Sequence, residues 1–537
     1  MATVSEAELT LAAGDGRLVL PAAAGTSLRQ TLLDNRVLLR TPCAGRGVCG
    51  GCRLRAGGRL SPITETERTL LGPKLLESGW RLACQARLEG AAELDCDSLA
   101  MGSGWTALGE GELRAYPAAG ASAVDGDAPL GLAIDLGTTH LRVVLWDRRR
   151  GRRLGALSAA NPQAGYGADV LSRLEAAAAG QAAELSAAIV QAVAAAVADL
   201  LSLAYGGANA EGIGHVVVVG NTAMLLLLTE TAAASLLLPD DWQLRVPCHP
   251  ADPDRLRQAW NLAATAAIEI AQPLGGFVGS DLSASVAACG LLARAEPALL
   301  IDVGTNTELA LWDGSRLWVT SSPGGPAFEG VGVSCGMPAQ PGAVYRLRSD
   351  TGGTGYRAEV VGDRTALGLC GSGLIDAVAA LCAAGIVRPS GRFADPPPAG
   401  GYPLPVGPDD AVLSLEAADI DTLQRAKAAI AAAAQCLLEQ AGLRWERLGR
   451  LYLCGVFGHH LHLDHARALG LIPGLPDDRI ELHGHAALGG CGLALLEGAG
   501  RLEEIAARCR LVNAALLPGF DDRFIGHLRL RPWPASA

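Results

Sequence analysis

The segment Thr41–Cys52, TPCAGRGVCGGC, carries three of the chain's cysteines, and a fourth follows in WRLACQARL. Cys43, Cys49, Cys52 and Cys84 have the spacing C-x5-C-x2-C-x31-C. Three thiolates on one glycine-rich loop with a distant fourth form a donor set for a [2Fe-2S] cluster, because loop amides must approach the sulfurs without side-chain obstruction. Zinc is the competing reading, and it is the weaker one because zinc sites usually pair two short knuckles. Cys96, in the context DCD, fits neither the spacing nor the loop. Arg46, Arg53 and Arg55 flank the ligands, either as an ordinary solvated face or as a dock for an acidic redox partner.

A second chemistry stands at two matching segments 167 residues apart, IDLGTTHLRVVLWD from Ile134 and IDVGTNTELALWD from Ile301. In each, an apolar strand delivers an aspartate to a tight glycine turn whose amides and hydroxyls can grip phosphate oxygens. Gly137, Thr138 and Thr139 form one turn, and Gly304, Thr305 and Asn306 the other. Asp135 and Asp302 are expected to face each other across a cleft and hold Mg2+, partly through water, which suits an ion that dehydrates reluctantly. One such turn would read as a plain β-turn; two, each followed by a second apolar run, are specific. Glu308 is a candidate to orient an attacking water, or else ends a strand turn. Asp281 is a further active-site carboxylate or a helix N-cap.

The elements that must position these residues follow from the pattern. At 537 residues the chain exceeds one core, and half of it is apolar. A net charge of -11 argues against nucleic-acid binding, which requires clustered Lys and Arg. Residues 1–100 carry 12 Lys plus Arg against 11 Asp plus Glu, so the acidity lies beyond them. The N-terminus has no basic region followed by an apolar one, so a cytoplasmic location is expected. The longest apolar run, LSAAIVQAVAAAVADLLSLA from Leu185, contains Gln191 and Asp199 and reads as a helix packed on a sheet, with no membrane partner. Strand-like runs GLAIDLG, HVVVVGN, ALLIDVG and RLYLCGV alternate with alanine-rich helical segments, which implies α/β layers duplicated in two lobes. RPSGRFADPPPAGGYPLPVGPDD from Arg388 reads as a surface insertion, and 99–128, rich in Gly, Ala and Ser, as a linker.

The paired turns resemble those of the actin-like ATPase superfamily, in which ATP lies between two lobes. Gly371, Ser372 and Gly373 in LCGSGLIDAVA, and Gly455 and Gly458 in LYLCGVFG, look like its connecting and adenosine-side motifs. With the cysteine clamp in front, the whole resembles the reductive activators of corrinoid proteins. That resemblance is carried by PCAGRGVCGGC, NPQAGYGADVLSRL from Asn161, VVGNTAM from Val218, GFVGSDLSA from Gly276, IDVGTNTELAL, GPAFEGVGVSCGMPA from Gly325, LCGSGLIDA and GVFG, in order. It implies an α+β β-grasp ferredoxin domain over 1–98, the linker over 99–128, and a two-lobed α/β actin-like (ribonuclease H-like) ATPase at 129–297 and 298–537. The implied activity is ATP-driven reduction of Co(II) to Co(I) on a corrinoid protein of a methyltransferase system, the electron coming from an external low-potential donor through the cluster. A plant-type cluster sits near roughly -400 mV, and each further 100 mV uphill costs one electron about 2.3 kcal/mol. ATP supplies the drive. The cofactors implied are [2Fe-2S], ATP and Mg2+, and a homodimer is left open.

Three departures from the family pattern stand out. A linker of about thirty residues stands where many relatives have a further small domain. LLLL follows VVGNTAM where histidines are expected. HHLHLDH from His459, with His483 and His485, holds six of the ten histidines, as a metal site or, more in keeping with the pattern, a crowded pocket rim. Cys335 and Cys370 read as small packing residues. Two other functions compete: a dehydratase-activator-like electron donor, which the four ligands within one domain disfavour, and a nucleotide-binding redox sensor without turnover.

Overall fold

A computed structural model describes residues 6–13, 16–35, 45–47, 50, 52–95, 105–108, 128–167, 169–205, 212–231, 233–238, 242–349, 356–363, 365–406, 412–498 and 500–534. Cys43, Cys49 and Cys96 lie outside the described residues, as does most of the expected linker.

The N-terminal unit is a five-stranded mixed sheet. In spatial order its strands are Gly16–Ala23, Glu6–Ala13, Leu88–Asp95, Arg53–Leu60 and Trp80–Leu82. The first two form a hairpin, Glu6–Ala13 pairs parallel with Leu88–Asp95, and Arg53–Leu60 runs antiparallel to both of its neighbours. Alternation in ELTLAA puts Leu9 and Leu11 into a core with Leu28, Leu32, Leu54, Leu82 and Leu94. Each fully buried leucine contributes ~1.5–3 kcal/mol.

A buried ion pair fixes the far edge of this sheet. Thr64 caps the helix Glu65–Glu77, and Glu67 returns the capping box. The Glu67 carboxylate also accepts from Arg81 Nε at 2.7 Å, Arg81 Nη2 at 3.1 Å and the Leu82 amide at 3.1 Å. Helix and strand are thereby tied immediately before Cys84.

Two further sheets repeat one plan. In the first, the order is Ala267–Ile270, Ile213–Gly220, Leu130–Leu136, His140–Asp147, Arg152–Ala160 and Thr106–Ala107. In the second it is Ile480–His483, Arg450–Gly455, Ala298–Val303, Thr307–Trp312, Leu317–Ser322 and Cys509–Leu511. Each central strand is antiparallel to the hairpin after it and parallel to the strands arriving from helices. The duplicated lobes expected from the paired turns are present as sheets. Thr106–Ala107, expected in the linker, instead pairs with Leu157 and Ser158 as an edge strand.

Between the sheets lie the helices Ser280–Cys289 and Ala486–Glu497, sharing a core that takes Ala133 and Val219 from the first sheet and Leu300 and Tyr452 from the second. The two helix backbones touch at Gly490, where an added Cβ would stand 1.9 Å from the Ala284 carbonyl oxygen. The apolar run from Leu185 lies in the helix Ala182–Tyr205, which packs on the strands His140–Asp147 and Arg152–Ala160. Leu185, Ile189, Val193, Val197 and Leu200 form its inward face. By length and composition Val170–Ser202 is long and apolar enough to cross a membrane; half of its most apolar window is buried inside the protein. The expected surface insertion contributes the strand Tyr402–Pro405, and Leu404 and Val406 enter the core, so it is only partly superficial.

The N-terminal sheet yields a test. Glu67→Ala leaves Arg81 buried without its carboxylate, and breaking such a pair costs about 3–5 kcal/mol. Calorimetry of the metal-free protein should show the transition of this unit at lower temperature, with the transition of the two larger sheets unmoved.

Candidate functional site

The register of the N-terminal sheet brings two of the four candidate thiols together. Cys52 precedes the strand Arg53–Leu60 and Cys84 follows Trp80–Leu82; those strands pair Arg53 with Leu82, and the Ala83 amide donates to the Cys52 carbonyl at 3.0 Å. The sulfurs of Cys52 and Cys84 stand 3.3 Å apart. Gln85 Nε2 donates to Cys84 Sγ at 3.6 Å. The bond with Cys52 brings the Cys84 thiol down to about 6 against the opposing effect of burial, with Gln85 and the Arg29 guanidinium adding to the lowering. A low thiol favours the thiolate form that binds metals.

The second site lies between the lobes. Asp135 ends the strand Leu130–Leu136 and Asp302 the strand Ala298–Val303, each just before its glycine turn. The turns themselves meet. Thr139 Oγ1 is 2.6 Å from Thr305 Oγ1, and both hydroxyls donate to Glu329 Oε2, at 2.9 and 3.0 Å. Gly304 N donates to Asn306 O and Gly137 N to His140 O, so the second turn is one residue tighter than the first. Its consequence is a change of cross-strand partner: Asp135 stands opposite Arg142, and Asp302 opposite Glu308.

Four carboxylates crowd this interface with little positive charge to offset them. Burial raises Asp135, although Arg142 Nη1 donates to its Oδ2 at 3.0 Å. Asp281 is pushed up to about 8 by burial and then by Asp135 and Asp302. Burial raises Asp302 to about 6, opposed by Ser285 Oγ, which donates at 2.6 Å, and supported by Asp135. Glu308 is raised by burial and by Asp281 and Asp302; its Oε1 is buried without a hydrogen-bond partner. Asp281 is no N-cap: Gly279 holds that position, and Asp281 lies in the first turn, accepting from the Leu282 amide at 2.9 Å.

The other candidate glycines divide. Gly455, in the left-handed region at φ 70°, borders the site directly; an added Cβ would stand 2.1 Å from Val303 O and 2.7 Å from Asp302 Oδ1. Gly458 lies against the His483 carbonyl. Gly371, Ser372 and Gly373 open the helix Gly371–Ala383, where Gly371 abuts Phe328 and Gly373 abuts Val344, a packing role in this structure. Leu225 to Leu228 are buried in the helix Thr222–Thr229, so that stretch serves the core. Burial pushes Cys335 up to about 12, and Cys370 Sγ lies 3.4 Å from the Val344 carbonyl, in keeping with packing. His465 Nδ1 is 2.7 Å from buried Asp376, and His462 stacks on His465 at 4.0 Å. Among the described residues, no three His, Cys, Asp or Glu side chains are gathered to hold one metal ion.

Sequence reasoning missed Glu329, Arg142, Ser285, Asn161 and Arg173. Asn161 Nδ2 donates to Gly137 O at 2.9 Å and its amide to Thr139 O at 2.8 Å, so it braces the first turn. Arg173, fully buried and brought down to about 9 by burial, faces Glu329 and Asp169. Glu329, Asn161 and Arg173 lie in quoted motif segments, but only the fold shows which side chains turn inward.

The family model "RACo middle region" matches residues 130–294, and "C-terminal domain of RACo the ASKHA domain" matches 296–533. The chain belongs to the RACo family. It is 27% identical over 430 residues to the corrinoid activation enzyme RamQ of Eubacterium limosum, covering 74% of this chain and 69% of that protein. To the [Co(II) methylated amine-specific corrinoid protein] reductase of Methanosarcina barkeri it is 30% identical over 220 residues, covering 37% and 38%. Among solved structures it resembles a reductive activator for corrinoid, iron-sulfur protein at TM-score 0.65 and 24% identity, over 98% of this chain and 99% of that one. The middle-region match spans the segment read as the first ATPase lobe.

The carboxylate cluster sets a pH dependence. A carboxyl raised in the folded state stabilises the fold fully below its unfolded value, near 4, and that contribution is lost as pH rises through the folded value, about 8 for Asp281. Without divalent cation, the melting temperature should therefore fall between pH 5 and pH 8. Asp281→Asn keeps the acceptor for Leu282 and removes the charge, so it should stabilise at pH 8 by at least about 1.4 kcal/mol, one unit's worth, with little gain at pH 4.

Proposed function

We propose that this RACo-family chain is an ATP-dependent reductive activator of a corrinoid protein, its N-terminal sheet a β-grasp ferredoxin domain. The observation that carries the reading is the meeting of the two glycine turns, Thr139 against Thr305, beside four under-compensated carboxylates. Thr139, Thr305 and the turn amides of 138–139 and 305–306 would take the phosphate oxygens, the hydroxyls exchanging Glu329 for phosphate. Asp135 and Asp302 would hold Mg2+ through water and phosphate oxygens, the usual mode for an ion that keeps several waters. The unpartnered Oε1 of Glu308 fits a role at that ion or at the attacking water. Gly455, with no side chain to intrude, keeps the space beside Asp302 open.

The thiols fit a cluster as well. Cys52 and Cys84 present close sulfurs, one with a depressed thiol, and Cys43 and Cys49 would complete the set. A bound [2Fe-2S] cluster would supply a one-electron carrier, loaded by an external low-potential donor. Gln85 tunes it by donating to Cys84, since hydrogen bonds to ligand sulfurs alter cluster potentials. The substrate is Co(II) in the corrinoid partner, and one electron converts it to Co(I). RamQ is named a corrinoid activation enzyme and the Methanosarcina barkeri protein a reductase of a Co(II) corrinoid protein, which supports the partner class.

One observation favours a nucleotide-binding sensor as the second reading: Arg142 already neutralises part of Asp135. Steady ATP hydrolysis stimulated by a corrinoid protein separates the two.

The test is anaerobic visible spectroscopy of the pre-reduced protein mixed with Co(II) corrinoid proteins encoded in the same genome. A Co(I) band should appear only with ATP. Cys49→Ala should lose the cluster's visible absorbance and keep ATP binding; Asp302→Ala should weaken ATP binding at least tenfold, about 1.4 kcal/mol, and keep the absorbance. Loss of both properties in either variant would refute two separate sites.

A further inference from the structure

The N-terminal unit touches the first lobe through Arg29. Arg29 stands in the helix Leu28–Asp34, and its amide donates to the carbonyl of Ala83, the residue before Cys84, at 2.9 Å. The neighbouring Leu28 amide donates to Ala86 O at 2.9 Å, so the helix start clamps the Cys84 turn from both sides. The Arg29 side chain then lies across Gly45 of the cysteine loop, where an added Cβ would come within 3.2 Å of its Cδ. Its Nη2 ends on the Gly165 carbonyl of the first lobe. Arg29 and Asp34 both act on Tyr166, the next residue.

On the lobe side, Gly165 closes the turn Pro162–Gly165, and that turn is held by Asn161. Asn161 Oδ1 accepts from the Gln163 amide at 2.9 Å, while its own amide and Nδ2 bind the carbonyls of Thr139 and Gly137. Asn161 is fully buried, so these bonds are not shared with solvent. One short chain of contacts therefore runs from the first phosphate turn to a permanent positive charge beside a cluster ligand: Thr139, Asn161, Gly165, Arg29, Cys84. A further contact between these units, Arg46 with Glu175 at 3.9 Å, joins side chains more than half exposed, and such a pair is weak.

We propose that Arg29 couples nucleotide occupancy of the Thr139 turn to the reduction potential of the cluster. The proposal rests on the function proposed above and deepens it, since it names the positioning residue through which the two sites communicate. Phosphate oxygens drawn to Thr139 displace its carbonyl and that of Gly137. Asn161 carries the movement to Gly165, and the guanidinium, which keeps its charge at every working pH, shifts relative to the thiolates. A cation nearer the cluster favours the reduced form, and one farther away disfavours it. By linkage, cluster reduction must change nucleotide affinity by the same factor that nucleotide changes the reduction equilibrium.

The experiment is an anaerobic redox titration of the full chain with its cluster reconstituted, read by absorbance and electron paramagnetic resonance, with and without Mg-ATP. The wild-type midpoint should shift on adding Mg-ATP, and Mg-ATP affinity should differ between oxidised and reduced protein by the matching factor. In Arg29→Gln the nucleotide-free midpoint should be more negative and the Mg-ATP-dependent shift should be lost, with Mg-ATP still bound. Arg29→Lys, which keeps the charge without the planar fork, should hold the nucleotide-free midpoint near wild type and reduce the Mg-ATP shift; it serves also if the Gln variant takes up no cluster. The proposal is overturned if the wild-type midpoint ignores Mg-ATP, or if the shift survives undiminished in both variants. A wild-type chain that takes up no cluster or no nucleotide instead refutes the function itself, and the coupling falls with it.

Discussion

Four carboxyl groups sharing one desolvated interface, with Arg142 the single adjacent arginine among the described residues, is the condition around which the two larger sheets are organised. Asp135, Asp281, Asp302 and Glu308 come from two strand ends, one helix start and one strand, and each raises the cost of ionising another. Apolar side chains of similar size would pack there more favourably, because desolvated charge without compensation destabilises a fold. Under the proposed function, a cation bound partly through water and phosphate would complete the arrangement. Stability and ligand binding are then linked, since whatever neutralises the carboxylates also holds the lobes in register.

The two lobes share a plan but divide the work through one residue of turn length. The first turn leaves Arg142 opposite Asp135, and the tighter second turn leaves Glu308 opposite Asp302. One aspartate is therefore partly neutralised and the other is reinforced in its negative charge. A cation entering the interface meets a field weighted toward the second lobe, where Gly455 leaves space beside Asp302. The duplicated sheets supply two similar turns, the proposed grips on phosphate, and the register difference makes the pair electrostatically unequal.

Much of this was legible in the sequence because it is local. Strand runs ending in an aspartate and a glycine turn give both the element and the site, so Asp135, Asp302 and the two turns were found together. The alternation of ELTLAA and the long alanine-rich helices were equally plain. What escaped depends on approach in space. Glu329 sits 24 residues from Thr305 and 190 from Thr139, and Arg142 matters only through cross-strand register. Thr106–Ala107 escaped for another reason: two residues carry no periodicity, and their strand exists only because Ser158 and Leu157 present an open edge. Leu404 and Val406 were hidden by the prolines around them, which mark a loop without excluding burial of the residues between.

Under the proposed function, the physical separation of the thiol pair from the carboxylate interface would set what nucleotide binding can do to an electron. Charge movements confined to the inter-lobe site are screened over a length of about 10 Å in salt where water intervenes. Influence at the thiols must then be carried mechanically, through bonded and buried contacts that have more than one arrangement. The stiff parts of the N-terminal unit, the Glu67–Arg81 clamp and the leucine core, hold Cys84 steady against its own sheet. On the proposed coupling, a displacement arriving from the first lobe would be expressed in long side chains that span the boundary, Arg29 among them. A stiff unit bearing a flexible charged lever transmits small motions as changes in electrostatics, and electrostatics at the ligand sulfurs is what sets how readily an electron leaves.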